Sequence, residues 1–131
     1  MASRDLDIIV YGATGFTGRL VAEYLAHHYK GRADAPRWAM AGRSLNAMAA
    51  RTRVVLTTGG PYQLYGSARV AAGVRAGTAY ADLCGEPGWM REMIDAHQDA
   101  ARASGARITF SCGFDSIPFD LGVLFLQAEA V

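Results

Sequence analysis

A parallel α/β sheet is the fold class this sequence predicts. Three observations carry the prediction: five short apolar runs recur along the chain, segments with apolar residues three and four apart separate them, and glycine follows nearly every run. Strands buried on both faces read as continuous apolar runs, and a chain that alternates strand with helix returns each strand parallel to the last. The 131 residues suffice for one domain, and 51% hydrophobic with 19% charged residues supply a sizeable core, which excludes a disordered tail.

Asp7 to Tyr11 (DIIVY) is the first run and ends on glycine. From Phe16 to Lys30, Leu20, Val21, Tyr24 and Leu25 keep helical spacing, and Gly31 supplies a stop. Pro36 opens the second strand, Arg37 to Ala41 (RWAMA), which closes on Gly42, Arg43 and Ser44. A short helix, Leu45 to Arg51, leads to a third strand, Arg53 to Thr58 (RVVLTT), that stops at Gly59-Gly60-Pro61. Tyr65 to Ala76 reads as a helix with Val70 and Val74 on one face, and Thr78 to Leu83 (TAYADL) as the fourth strand. Pro87 suits the first turn of a helix reaching Ser104, in which Met90, Met93, Ile94 and His97 repeat at three and four, and Gly105 ends it. Arg107 to Cys112 (RITFSC) is the last strand, and Ser116 to Gln127 starts a final helix with Pro118 in its first turn.

One connection is short. Gly42 to Thr52 is eleven residues, close to the minimum for a right-handed crossover, and has no room for the strand and helix that usually complete the first half of a dinucleotide-binding sheet. Either the sheet is reduced, or residues are missing between Ser44 and Leu45; in the second case their Cα atoms stand much farther apart than the ~3.8 Å of a peptide link.

Composition narrows the function classes. A formal charge of +1 gives no general signal for nucleic acid or an anionic membrane. The N-terminus has no apolar stretch of signal-peptide length, and Leu121 to Leu126 falls far short of the roughly 20 residues that span a bilayer. Cys84 and Cys112 are too few for a disulfide-stapled secreted scaffold, so a reducing cytoplasm is the expected compartment. Neither has an evident activating base, and three histidines, His27, His28 and His97, lack metal-ligand spacing, so no metal site is expected. Trp38 and Trp89 read as core or interface aromatics.

The chemistry concentrates where strands end. Gly12-Ala13-Thr14-Gly15-Phe16-Thr17-Gly18 lies between the first strand and the first helix. Glycines there let the backbone turn sharply and approach a diphosphate without a Cβ in the way, and the amides opening the helix face the anion. The second strand ends Ala41-Gly42-Arg43-Ser44 with no acid to hold ribose hydroxyls; Arg43 and Ser44 instead suit the additional phosphate of NADP. Thr57-Thr58-Gly59-Gly60-Pro61-Tyr62, Asp82-Leu83-Cys84-Gly85-Glu86-Pro87 and Ser111-Cys112-Gly113-Phe114-Asp115-Ser116-Ile117-Pro118 mark the remaining ends. In an open parallel sheet these loops converge on the carboxyl edge. Tyr62, Glu86 and Asp115 are the candidate proton donors, each weighed against packing, helix-dipole or capping roles.

With those residues in view, the chain resembles the N-terminal, NADP-binding part of the saccharopine dehydrogenase-like oxidoreductases, most of all the actinobacterial branch with the trans-acting enoyl reductases. DIIVYGATGFTG, AGRS, VVLTTGGPYQLYG, YADLCGEPGWM and ITFSCGFDSIPFDLG carry the resemblance, from Asp7 to about Leu126. It implies a Rossmann-like sheet with helices on both faces. Residues 1–131 are then an NADP-binding domain that is part of a longer enzyme, whose second α+β domain builds the substrate pocket and often the dimer contact. By the resemblance, Gly12, Ala13, Thr14, Gly15, Phe16, Thr17 and Gly18 hold the diphosphate, and Arg43 with Ser44 the adenosine phosphate. Thr58, Gly59, Gly60, Pro61 and Tyr62 line the path to the nicotinamide. The implied reaction reduces a carbon–carbon double bond of an acyl or polyketide chain. A small-molecule or acyl substrate, a peripheral lipid or synthase contact, and no nucleic acid are the implied partners. A saccharopine-type imine or amino-acid dehydrogenase, an NADP-sensing module without turnover, and a purely structural α/β domain stay open. If a second domain covers the last helix, Leu121, Val123, Leu124 and Phe125 are exposed without it.

Overall fold

A computed structural model describes residues 4–42 and 44–130. Five parallel strands form one sheet in the order β2-β1-β3-β4-β5, made of β1 (Leu6–Tyr11), β2 (Trp38–Ala41), β3 (Thr52–Thr57), β4 (Ala79–Asp82) and β5 (Ile108–Thr109). The central strand β1 holds the register, with Ile9 opposite Ala39 on one side and Val55 on the other.

The helices are α1 (Phe16–His28), α2 (Leu45–Arg51), α3 (Tyr62–Tyr65), α4 (Ser67–Ala76), α5 (Pro87–Ser104) and α6 (Ile117–Glu129). The chain moves from β1 outward to β2, then back past β1 to β3, β4 and β5. Right-handed crossovers in opposite directions put α1 on one face and α4 with α5 on the other. The core divides accordingly. Val10, Ala13 and Leu25 pack with Ile8, Val21, Trp38 and Leu56 under α1. Tyr62, Val70, Val74, Tyr80, Cys84 and Trp89 form the second cluster. Side chains alternate along a strand, so Val10 serves the first core while its neighbour Ile9 is buried on the other side.

Several boundaries differ from the sequence reading. The helix expected over Tyr65–Ala76 is α4, which starts two residues later at Ser67, and a further short helix, α3, precedes it across Gly66. A Cβ on Gly66 meets the Trp89 ring at 2.4 Å and the Tyr62 carbonyl oxygen at 2.6 Å, so the chain passes there only as glycine. The last strand shrinks from six residues to Ile108–Thr109 because Ser111 turns into the left-handed region (φ 59°) and Asp82 takes the next amides. The wide separation of Ser44 from Leu45 is not found: the Ser44 carbonyl accepts from the Met48 N–H at 3.1 Å, so Ser44 runs directly into α2. In this chain the connection is short, and Ser44 adopts φ 61°, ψ 61° within it.

The amino edge carries exposed ion pairs, Asp5 with Arg51 and Asp7 with Arg37; solvent leaves such pairs little net worth. Among the described residues no helix is long and apolar enough to cross a membrane, and no group of three or more His, Cys, Asp or Glu is placed to hold a metal.

Candidate dinucleotide site

Between β1 and β3 the chain reverses its direction across the sheet, which opens a crevice at the carboxyl edge. Three turns meet there. Gly12 leaves β1 at φ 85°, and the Gly15 N–H closes the turn on the Gly12 carbonyl at 3.0 Å. A Cβ on Gly18 meets the Gly12 carbonyl oxygen at 2.1 Å and Thr58 Oγ1 at 2.6 Å. Helix α1 therefore lies directly against the turn. No side chain caps its N-terminus and its first turn holds no acid, so its opening amides and the positive end of its dipole face outward.

Thr58 closes the crevice from β3. Its N–H donates to the Tyr11 carbonyl at 3.0 Å, and its hydroxyl lies 3.3 and 3.4 Å from the carbonyls of Tyr11 and Gly12. A Cβ on Gly12 meets Thr58 Oγ1 at 3.1 Å and the Gly59 nitrogen at 3.2 Å. Gly59 donates to Thr57 Oγ1, and its carbonyl accepts from the Arg69 guanidinium at 2.6 Å. Beyond it, the Gly60–Pro61 peptide is cis.

Toward β2, Tyr11, Gly12, Ala13 and Thr14 face Met40, Ala41 and Gly42 across a cavity of about 370 Å³. Of the glycine motif, Gly12, Ala13 and Thr14 line this cavity; Thr14, Gly15, Phe16 and Thr17 are exposed, Phe16 to 77%, while Ala13 and Gly18 are buried. Ser44 is exposed at the start of α2 and is not part of the cavity wall. Arg43 lies outside the described residues.

The candidate proton donors have different surroundings. The buried Tyr62 hydroxyl donates to the Thr57 carbonyl at 3.1 Å and accepts from the Leu83 N–H at 3.2 Å, so it ties the ends of β3 and β4 together. Burial, above all, pushes its ionisation upward. The two Glu86 oxygens accept from the Tyr62 and Gln63 N–H groups at 2.8 and 2.7 Å, capping α3 from the neighbouring loop. Asp115 is exposed, and among the described residues its carboxylate makes no hydrogen bond. Cys84 and Cys112 are free thiols, both pushed upward chiefly by burial, which keeps them protonated and unreactive.

Two residues that organise this edge are not among the candidates drawn from the sequence, although Asp82 opens one of the marked strand-end segments. Asp82 is fully buried at the end of β4. Its Oδ1 accepts from the N–H groups of Cys84 and Ser111, both at 3.0 Å, and its Oδ2 from the Tyr80 hydroxyl at 2.9 Å. Arg69 lies on the inner face of α4 with its guanidinium 4.3 Å from the centre of the Tyr11 ring. The available signal is a charged residue inside an apolar pattern: Asp82 closes TAYAD, and Arg69 shares a helix face with Ala72 and Gly73.

The chain is similar over nearly all its length to curated mycobacterial proteins. A trans-acting enoyl reductase of Mycobacterium tuberculosis is 44% identical, with 99% of this chain and 37% of that protein covered. A putative trans-acting enoyl reductase of the same organism is 46% identical, with 97% and 36% covered. One from Mycobacterium leprae is 43% identical, with 98% and 37% covered. The chain therefore spans little more than a third of the length of these relatives. The first similarity extends over 160 aligned positions against 131 residues here, so the relative has positions for which this chain has no counterpart. No protein-family model matches the chain. Among solved structures, the capsular polysaccharide assembling protein CapF of Staphylococcus aureus is similar with a TM-score of 0.52 at 14% identity, over 80% of this chain and 29% of that one. That likeness concerns the fold alone.

Proposed function

We propose that this chain is the NADP-binding part of a saccharopine dehydrogenase-like oxidoreductase that reduces a carbon–carbon double bond of an acyl or polyketide intermediate. The observation that carries the reading is the cradle at the switch point: Gly12, Gly18 and Thr58 leave no space for a Cβ between them, and an uncapped 13-residue helix opens onto it. The similarity to proteins named trans-acting enoyl reductases supports the reaction class.

On this reading Gly12 to Gly18 receive the diphosphate, the cavity between β1 and β2 takes the adenosine half, and Arg43 with Ser44 selects the extra phosphate. Thr58 to Tyr62 border the nicotinamide. When bound, the reduced nicotinamide supplies the hydride for one carbon of the double bond. Tyr62 and Glu86 hold the bordering loop in place through the contacts above. Asp115, exposed at the same edge, remains the candidate for moving a proton. On this reading the acyl pocket, a synthase contact and any homodimer contact belong to a second domain of a longer enzyme, and the cytoplasm is the compartment that goes with this chemistry.

Fluorescence titration with NADPH and NADH tests the cofactor. Binding with preference for NADPH is expected, and Arg43→Ala lowers that preference about tenfold, equivalent to about 1.4 kcal/mol. A chain that binds neither nucleotide overturns the reading.

A further inference from the structure

Arg69 is the one buried cation among the described residues, at 8% exposure, and no carboxylate among them lies within ion-pair distance. One guanidinium nitrogen donates to the Gly59 carbonyl, the group stacks on Tyr11, and Nε has no partner at all. A buried charge is normally paired, because desolvating a guanidinium costs several kcal/mol and a single carbonyl and a ring face offset only part of that. A hydrophobic side chain of similar volume suits this place in α4 better. An unsatisfied group of this kind calls for a physical reason.

Its position supplies one. The guanidinium grips Gly59, whose nitrogen stands 3.2 Å from where a Gly12 Cβ would be. The cation therefore sits directly behind the crevice between the β1 and β3 turns. We propose that Arg69 is a positioning residue for an anionic ligand: its uncompensated charge attracts the dinucleotide's phosphates to the Gly12 and Gly59 turns, at a standing cost to the empty protein. Two effects act together. The field of a desolvated charge is weakly screened by the protein around it. In addition, the bond to the Gly59 carbonyl polarises the Gly59–Gly60 peptide and makes the Gly60 N–H a stronger donor. The proposal rests on the dinucleotide reading above, but it assigns a role to a residue outside the glycine motif.

The test compares Arg69→Met and Arg69→Lys with the parent chain, by thermal melting without ligand and by NADPH titration at low and high salt. Arg69→Met is expected to melt at the same temperature as the parent or higher, since replacing a buried charge with an apolar group of similar size is often neutral or stabilising. It is expected to bind NADPH at least about tenfold more weakly, with a flatter salt dependence. Arg69→Lys keeps the charge without the planar fork and recovers part of the affinity and the salt slope. A much lower melting temperature for Arg69→Met makes Arg69 a packing residue and overturns the proposal, as does unchanged affinity. Absence of NADPH and NADH binding by the parent itself instead removes the dinucleotide reading, and this proposal with it.

Discussion

Asp82 shows how a single side chain couples stability to pH. Burial, the first cause, pushes its carboxyl above the ordinary value of 3.8, and the amides of Cys84 and Ser111 and the Tyr80 hydroxyl pull against it. The native state thus holds this proton more tightly than the unfolded chain does. Its contribution is largest below the ordinary carboxylate value and is lost as pH rises from there through the raised one. Asp82→Asn keeps an acceptor for the two amides and a partner for Tyr80 while removing the titration. Denaturant unfolding from pH 4 to 7 should therefore show the parent losing stability relative to Asp82→Asn, and parallel curves would refute this. Asp82→Ala leaves three buried groups unpaired and is expected to cost about 3 kcal/mol or more. Gly18→Ala is a second residue-scale case. Its new methyl collides with backbone oxygen, which cannot rotate away, so a loss of about 2 kcal/mol and of nucleotide affinity is expected by melting and titration. The glycines were legible in sequence because their role follows from lacking a Cβ. Asp82 and Arg69 were not, since their role depends on which strand end or turn the fold brings beside them.

At the scale of elements, the strands were legible from apolar runs alone, because a strand covered on both faces has no polar side to show. The boundaries were less so. A helix pattern runs through Gly66, and only the Trp89 ring packed against it reveals the break between α3 and α4. The nominal last strand carries a good sequence, RITFSC, yet Asp82 draws Ser111 and Cys112 out of the ladder. The same logic makes Glu86 an element rather than a lone acid: it joins the β4–α5 loop to the start of α3. Glu86→Ala removes both caps and is expected to cost about 1–2 kcal/mol, with Glu86→Gln milder because one carbonyl oxygen remains. Hydrogen exchange at the Tyr62 and Gln63 amides reads this directly. Protection unchanged in Glu86→Ala would contradict the capping role.

For the molecule as a whole, the two cores on opposite faces of the sheet account for the packing of α1, α4 and α5, α2 packs against α4 and β3, and α6 takes no share in either core. None of its 13 residues is buried, although Phe119, Val123, Leu124, Phe125 and Leu126 are all at least 63% exposed. The exposure expected for Leu121, Val123, Leu124 and Phe125 is present, and a contiguous apolar surface of this kind is uncommon on monomers. Stability scales with apolar area removed from water, and α6 removes little. Ending the chain after Asp115 should therefore change the unfolding free energy by less than about 1 kcal/mol, within the range of ordinary surface changes. The same truncation should abolish most binding of an apolar fluorescent dye. If instead the shortened chain melts far below the parent, α6 packs on the sheet in solution. The apolar groove beside β5, lined by Val70, Ile94, Ile108 and Phe110, would then be where its side chains go.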